Sequence, residues 1–174
     1  MLILARDEHF AWLLGEVSPP DLLREAPGGV EQRRILRWLR AVSARLNAAG
    51  LLGSWLIVDE EEVVGLCGFK GPPDTAGSAE IGYGIAATRR RFGHATEAVR
   101  LLCEEVGRLG GVAALRAETA INNLPSQRVL EHNDFLQVGA RHDPEDGDLI
   151  LWSRPLVAAG KDPNLPGADI ANRR

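Results

Sequence analysis

Gly82-Tyr83-Gly84-Ile85-Ala86-Ala87-Thr88-Arg89-Arg90-Arg91-Phe92-Gly93-His94-Ala95-Thr96-Glu97-Ala98 reads as an apolar strand that breaks into three arginines and a glycine. It then becomes a helix whose first turn carries two small residues, Ala95 and Thr96. Small residues let a ligand approach the backbone. The helix N-terminus offers unpaired N–H groups and a positive dipole end, and arginines add full charges. The stretch therefore predicts a cradle for an anionic, phosphorylated ligand at a strand-to-helix turn.

Working outward, the helix runs to about Leu109 with Ala95, Ala98, Leu102 and Val106 along one stripe, and Gly110-Gly111 stops it. Ala113 to Thr119 reads as a strand. Strand, helix and strand make a right-handed βαβ crossover with a parallel pair, which puts the cradle at the carboxyl end of the sheet. Asn122 to His132 opens a further helix, and Phe135–Ala140 with Asp148–Arg154 alternates as a hairpin. Upstream, Ser54–Val58 and Val63–Phe69 have a period of two and flank an acidic turn, and Ala79–Ile85 follows them as the next strand. Earlier still come a short strand at Met1–Arg6, a helix with Asp7 as N-cap, a turn capped by Asp21, and a helix from Val30 to about Ala49.

The chain has 174 residues, enough for one domain with a real core, and its 45% hydrophobic content fits a folded globule. Residues 1–156 are expected as a single domain and 157–174 as a frayed tail. A net charge of −4 and few, scattered aromatics make nucleic acid a poor substrate. Of 20 basic residues 18 are arginine, read mainly as solvated helix-face charge. Cys67 and Cys103 sit in apolar surroundings without metal-ligand spacing, so both read as core residues in a reducing compartment, with no metal. The N-terminus is too short and too quickly charged for a secretory or membrane segment, and a cytoplasmic protein is expected.

Competing glycine motifs fail by residue type. A Walker loop needs GxxxxGK followed by Ser or Thr, which is missing, and Gly82-Tyr83-Gly84 lacks the third glycine of a dinucleotide fingerprint. Arg90-Arg91-Phe92-Gly93-His94-Ala95, by contrast, resembles the (Gln/Arg)-x-x-Gly-x-(Gly/Ala) signature of the GNAT superfamily of acyl-CoA N-acetyltransferases. A second block, Asn123-Leu124-Pro125-Ser126 through Phe135, is similar to that family's Asn-x-x-Ser/Ala helix. Glu80-Ile81-Gly82-Tyr83 and Thr96-Glu97-Ala98 resemble the ribosomal-protein N-terminal acetyltransferase branch.

The resemblance implies an α/β (α+β) fold with a mixed sheet of six to seven strands in the order β-α-α-β-β-β-α-β-α-β-β, splayed between the fourth and fifth strands. It implies that backbone amides around Arg90, Arg91, Phe92, Gly93, His94, Ala95 and Thr96 bind the pyrophosphate of acetyl-CoA. The strand end at Ile85, Ala86 and Ala87 would pair with pantetheine, Asn123 would touch it, and Ser126 would lie near the thiol. Where many relatives carry a thiolate-protonating tyrosine, this chain has Leu130, so Ser126 is the candidate acid. Tyr83, the only tyrosine, is expected to pack in or beside the site. Glu80 is the candidate base by the same resemblance, with a water chain as its substitute. Asp134 replaces the usual glycine before Phe135 and affects a turn.

The implied reaction is acetyl transfer from acetyl-CoA to a primary amine, whether a protein N-terminus, an aminoglycoside, a polyamine or an amino acid. Homodimers are common in the family. A non-catalytic acyl-CoA-binding module, suggested by Leu130, is the competing reading, and a different phosphate-ligand protein is the third.

Overall fold

Tyr83 and Ile85 on one face of a strand, and Gly82 and Gly84 on the other, set the plan of the molecule. In the computed structural model, residues 1–20 and 22–156 are described. The turn cap expected at Asp21 and the tail from 157 lie outside them. The elements are β1 (Leu2–Leu4), α1 (Asp7–Leu13), β2 (Arg24–Glu25), α2 (Arg33–Ala48), β3 (Ser54–Asp59), β4 (Glu62–Phe69), β5 (Ser78–Ile85), α3 (His94–Leu109), β6 (Ala114–Ala120), α4 (Leu124–Glu131), β7 (Leu136–Asp143) and β8 (Gly147–Pro155). Without β2 this is the element order the resemblance implies.

One sheet runs in the order β1-β3-β4-β5-β6-β8-β7, with β2 attached parallel to β4. That two-residue pairing is the eighth strand, and the Pro-Gly punctuation after it hides it in the sequence. Neighbours are antiparallel except at β5 and β6, where three residues, Ser78–Glu80, pair in parallel with Ala114–Arg116. Beyond Glu80 the two strands diverge, which is the expected splay.

Side chains alternate across the sheet and give it two cores. Phe10 and Leu13 of α1, its C-cap Leu14 and Leu36 of α2 bury against Leu56 and Leu66, while Val99, Leu102, Cys103 and Val106 from α3 bury against Cys67, Ile81 and Leu115. Burial raises the Cys67 thiol to about 12, so it stays protonated in the core.

Three local details differ from the expected boundaries. The cap of α1 is Arg6 rather than Asp7, whose place is the first helical turn, and the Arg6 N–H donates to His9 Nδ1 at 2.9 Å. The second helix begins at Arg33 rather than Val30, because Val30 is buried in the turn and its N–H donates to Glu25 Oε1 at 3.0 Å. Along α3, Val99 and Cys103 share the buried stripe while Ala95 is only half-buried.

After α4 the chain reverses at Asp134, held at φ 59°, and the Phe135 N–H closes the turn on Leu130 O at 3.1 Å. A left-handed conformation costs an L-residue about 1–2 kcal/mol, less for Asp and nothing for Gly. The Arg154–Asp134 pair, at 3.7 Å with Asp134 exposed, offers little in return. Asp134→Gly is expected to stabilise the fold by about 1 kcal/mol, seen as a Tm rise of about 2–4 °C in thermal denaturation. A fall in Tm would show that the ion pair outweighs the backbone.

Candidate active site

The open end of the splay forms the site because α3 and α4 both begin there. Gly93 caps α3 at φ 84°, a conformation that glycine takes without cost. No side chain caps this helix end, and the N–H groups of Gly93, His94, Ala95 and Thr96 precede the first intrahelical bond, which Glu97 N makes to Gly93 O. These amides border a cavity of about 810 Å³ lined by Tyr83, Ile85, Ala87, Arg90, Arg91, Asn123, Ser126 and Val129, among others. The strained residue of the cradle is Arg91, at φ 68°.

The three arginines divide sharply. Arg89 is engaged, its guanidinium donating to both Glu62 oxygens at 2.7 and 3.0 Å. Arg90 donates to Ile85 O at 3.2 Å and Arg91 stands exposed; neither forms an ion pair among the described residues. Most other arginines on the helices and strands, such as Arg40, Arg100 and Arg141, are committed to carboxylates. Phe92 is exposed and its ring lies 6.0 Å from that of His94, whose Nε2 is 3.8 Å from Asp59.

Along β5 the backbone also alternates. The Ala86 N–H donates to Val64 O at 2.8 Å, so its polar group faces β4 and its side chain is buried. Of the three residues expected to pair with pantetheine, Ala86 is thus withdrawn from the cleft by its own ladder bond. Ile85, one residue earlier, points its N–H the opposite way, into the splay.

On α4, Asn123 is the N-cap, its Oδ1 accepts from Ser126 N at 3.3 Å, and the residue lines the cavity. Tyr83 reaches across from β5: its hydroxyl lies 2.8 Å from Ser126 Oγ and donates to Ser126 O at 3.1 Å. Burial pushes the Tyr83 phenol up to about 12, partly offset by the hydrogen bond to Ser126. It therefore holds its proton throughout the neutral range. Leu130 is fully buried, so the position that the resemblance assigns to a tyrosine in many relatives faces the core. The alternation of β5 placed Tyr83 on the same face as Ile85 from the start. Its partner on α4 lies 43 residues away, which no local pattern reveals.

Glu80 does not join this group. It stands five residues before Ile85, about 16 Å along the strand, and on the face opposite Tyr83. Its carboxylate accepts from Lys70 Nζ at 2.6 Å.

Asn133 was also not foreseen. It is buried, and its Nδ2 donates to Thr96 O at 3.1 Å and Val129 O at 2.8 Å, tying the first turn of α3 to α4. The cradle and the Ser126 helix are thereby held at a fixed spacing.

The sequence matches the family described as "Acetyltransferase (GNAT) domain" over residues 2–136. The chain belongs to the GNAT acetyltransferase family. It is 34% identical over 101 residues to the uncharacterized N-acetyltransferase YjdG of Bacillus subtilis, a match covering 57% of this chain and 60% of YjdG. The chain thus spans less than two thirds of that curated relative. Among solved structures it resembles a Salmonella typhimurium acetyl transferase that modifies the N-terminal serine of a 50S ribosomal subunit protein. That pair has a TM-score of 0.70 at 18% identity, covering 90% of this chain and 94% of the other. A RimL ribosomal-protein α-N-acetyltransferase in complex with coenzyme A has a TM-score of 0.67 at 19% identity, covering 89% and 93%. At these identities the likeness is one of fold.

The geometry separates Gly93 from Arg89. Gly93→Ala is expected to strain the cap by about 1 kcal/mol and to raise the Kd for CoA about tenfold in isothermal titration, because the amides turn away. Arg89→Ala is expected to change that Kd less than about threefold, since its charge is spent on Glu62. The reverse order would place the phosphate contact on side chains instead of the backbone.

Proposed function

We propose that the protein is a cytoplasmic acetyl-CoA-dependent N-acetyltransferase that passes an acetyl group to a primary amine by direct attack on the thioester. The observation that carries this reading is the convergence in one cleft of the free first-turn amides of α3, the Ile85 N–H and the Tyr83–Ser126 pair. Family membership supports the same class. The buried, unbridged Cys67 and Cys103 suit a reducing compartment. No helix among the described residues is long and apolar enough to cross a membrane.

The residues fit the donor in a simple order. The amides of Gly93–Thr96, with Arg90 and Arg91, suit a pyrophosphate, and Asn123 with the open edge of β5 suits the amides of a pantetheine arm. Acetyl-CoA supplies a thioester already activated for acyl transfer. Ile85 N–H is aimed to meet negative charge on the carbonyl oxygen, where a fixed donor acts without reorganisation. Ser126 is the proton donor to the departing sulfur.

Tyr83 explains how a serine does this work. Its single proton has two acceptors within reach, the carbonyl and the hydroxyl oxygen of Ser126, and in the arrangement where Oγ accepts it the Ser126 proton is free to turn to the thiolate. A binding module that had lost its acid would have no use for this half-buried pair. Glu80, locked to Lys70, is proposed to steady the base of β5, so that solvent carries away the amine proton.

Ser126→Ala is expected to lower kcat about 10²-fold, the usual scale of a positioned acid, with CoA binding retained. Tyr83→Phe is expected to cost about tenfold, because the serine keeps its proton and loses only its orientation. Since Tyr83 is raised to about 12, its proton is fully held below the ordinary tyrosine value of about 10, and loss begins only above that. The wild-type kcat profile should show no alkaline fall from this group below about pH 10. A descending limb near neutrality, or unchanged kcat in Ser126→Ala, would remove the pair from the reaction.

A further inference from the structure

On the α2 side of β5 lies a second cavity, of about 240 Å³, with room for about eight water-sized groups. Ile35, Trp38 and Leu39 of α2 form its roof, and Leu66, Phe69 and the bare backbone of Gly82 and Gly84 form its floor. Tyr83 and Gly84 also line the CoA-side cleft, so the two cavities meet at these two neighbouring residues of β5, next to the Ile85 N–H. Trp38 is 44% exposed although it roofs an apolar cleft, as suits a wall awaiting contact.

Two charged groups reach this cavity. Lys70 is already neutralised by Glu80 at 2.6 Å. Glu31 is half-buried; its Oε1 accepts from Gln32 N at 2.8 Å, while Oε2 lies 3.3 Å from where a Cβ on Gly84 would stand. Glu31 has no cationic partner among the described residues, although arginines are abundant in this chain. A side chain at position 84 would close the passage between Glu31 and the splay.

Resting on the acetyl-transfer reading, we infer that this cavity is the acceptor subsite and that it selects a compact apolar or aromatic monoamine. Glu31 Oε2 receives the amino group beside Gly84, and the apolar body lies under Trp38. One unpaired carboxylate matches one ammonium. A polyamine or aminoglycoside would bring further cations into apolar walls with no carboxylate left to receive them. Glu31 is therefore a specificity-determining residue.

The test is a kcat/KM comparison of 2-phenylethylamine, spermidine and a serine-initiated peptide with acetyl-CoA, read by thiol release, alongside isothermal titration with CoA. The expected result is preference for 2-phenylethylamine by at least about tenfold, with KM for it rising about 10- to 100-fold in Glu31→Gln. Trp38→Ala should raise the same KM, and Gly84→Leu should abolish turnover of the amine while CoA is still bound. Preference for spermidine or the peptide, or an unchanged KM in Glu31→Gln, overturns the subsite but leaves acetyl transfer standing. CoA binding without turnover of any amine overturns both.

Discussion

A parallel pairing only three residues long governs this molecule. β5 and β6 share hydrogen bonds at Ser78–Glu80 and Ala114–Arg116 and then part, although β5 continues to Ile85 and β6 to Ala120. An interior strand with an unpaired edge is costly where water cannot reach it, so the splay persists only because another hydrogen-bonding partner or solvent takes that edge. The rest of the fold keeps the gap open. β8 pairs with β6 over seven residues on its far side, and β4 pairs with β5 over five on the other, so each arm of the V is anchored away from the cleft.

What stands at the mouth of the V is held from behind. Asn133 clamps the first turn of α3 to α4, and Asn123 shapes the start of α4. Cradle, Ser126 and Tyr83 therefore move as one unit. Burial of Tyr83 serves the same end, because a raised phenol stays a proton donor and orients the Ser126 hydroxyl without ionising.

The cradle was legible in the sequence because its signals are local. A glycine before a small-residue helix start fixes both the left-handed cap and the exposed amides, and both occur at Gly93. The splay was legible through the strand, helix and strand order and the family resemblance. The two-residue β2 was hidden because its partner β4 is almost forty residues away and no periodicity spans two residues. Tyr83 and Ser126 are each visible in the sequence, but only the hydrogen bonds between β5 and α4 join them. Glu31 carries no motif at all. Its position depends on the turn between β2 and α2, where Glu25 Oε1 holds the Val30 N–H. Arginine abundance was a poor guide, since Arg89, in the middle of the motif, is bound to Glu62.

Alternation along β5 then explains why one strand can serve two ligands. Odd positions carry the groups that the proposed transfer uses: the Tyr83 hydroxyl on the α3 face, and the Ile85 N–H along the splayed edge. Even positions, Gly82 and Gly84, carry no side chain, so the α2 face of the same strand stays open to a second molecule. Their partners across the ladder, Gly68 and Leu66, lie on that same face, and Leu66 supplies part of the apolar floor there. Filling position 84 would not weaken the cradle, whose amides lie beyond it on α3. It would separate Glu31 from the splay at the point where the two cavities meet. On the proposed reading, acyl donor and acceptor meet across a strand one residue thick and bare at Gly84.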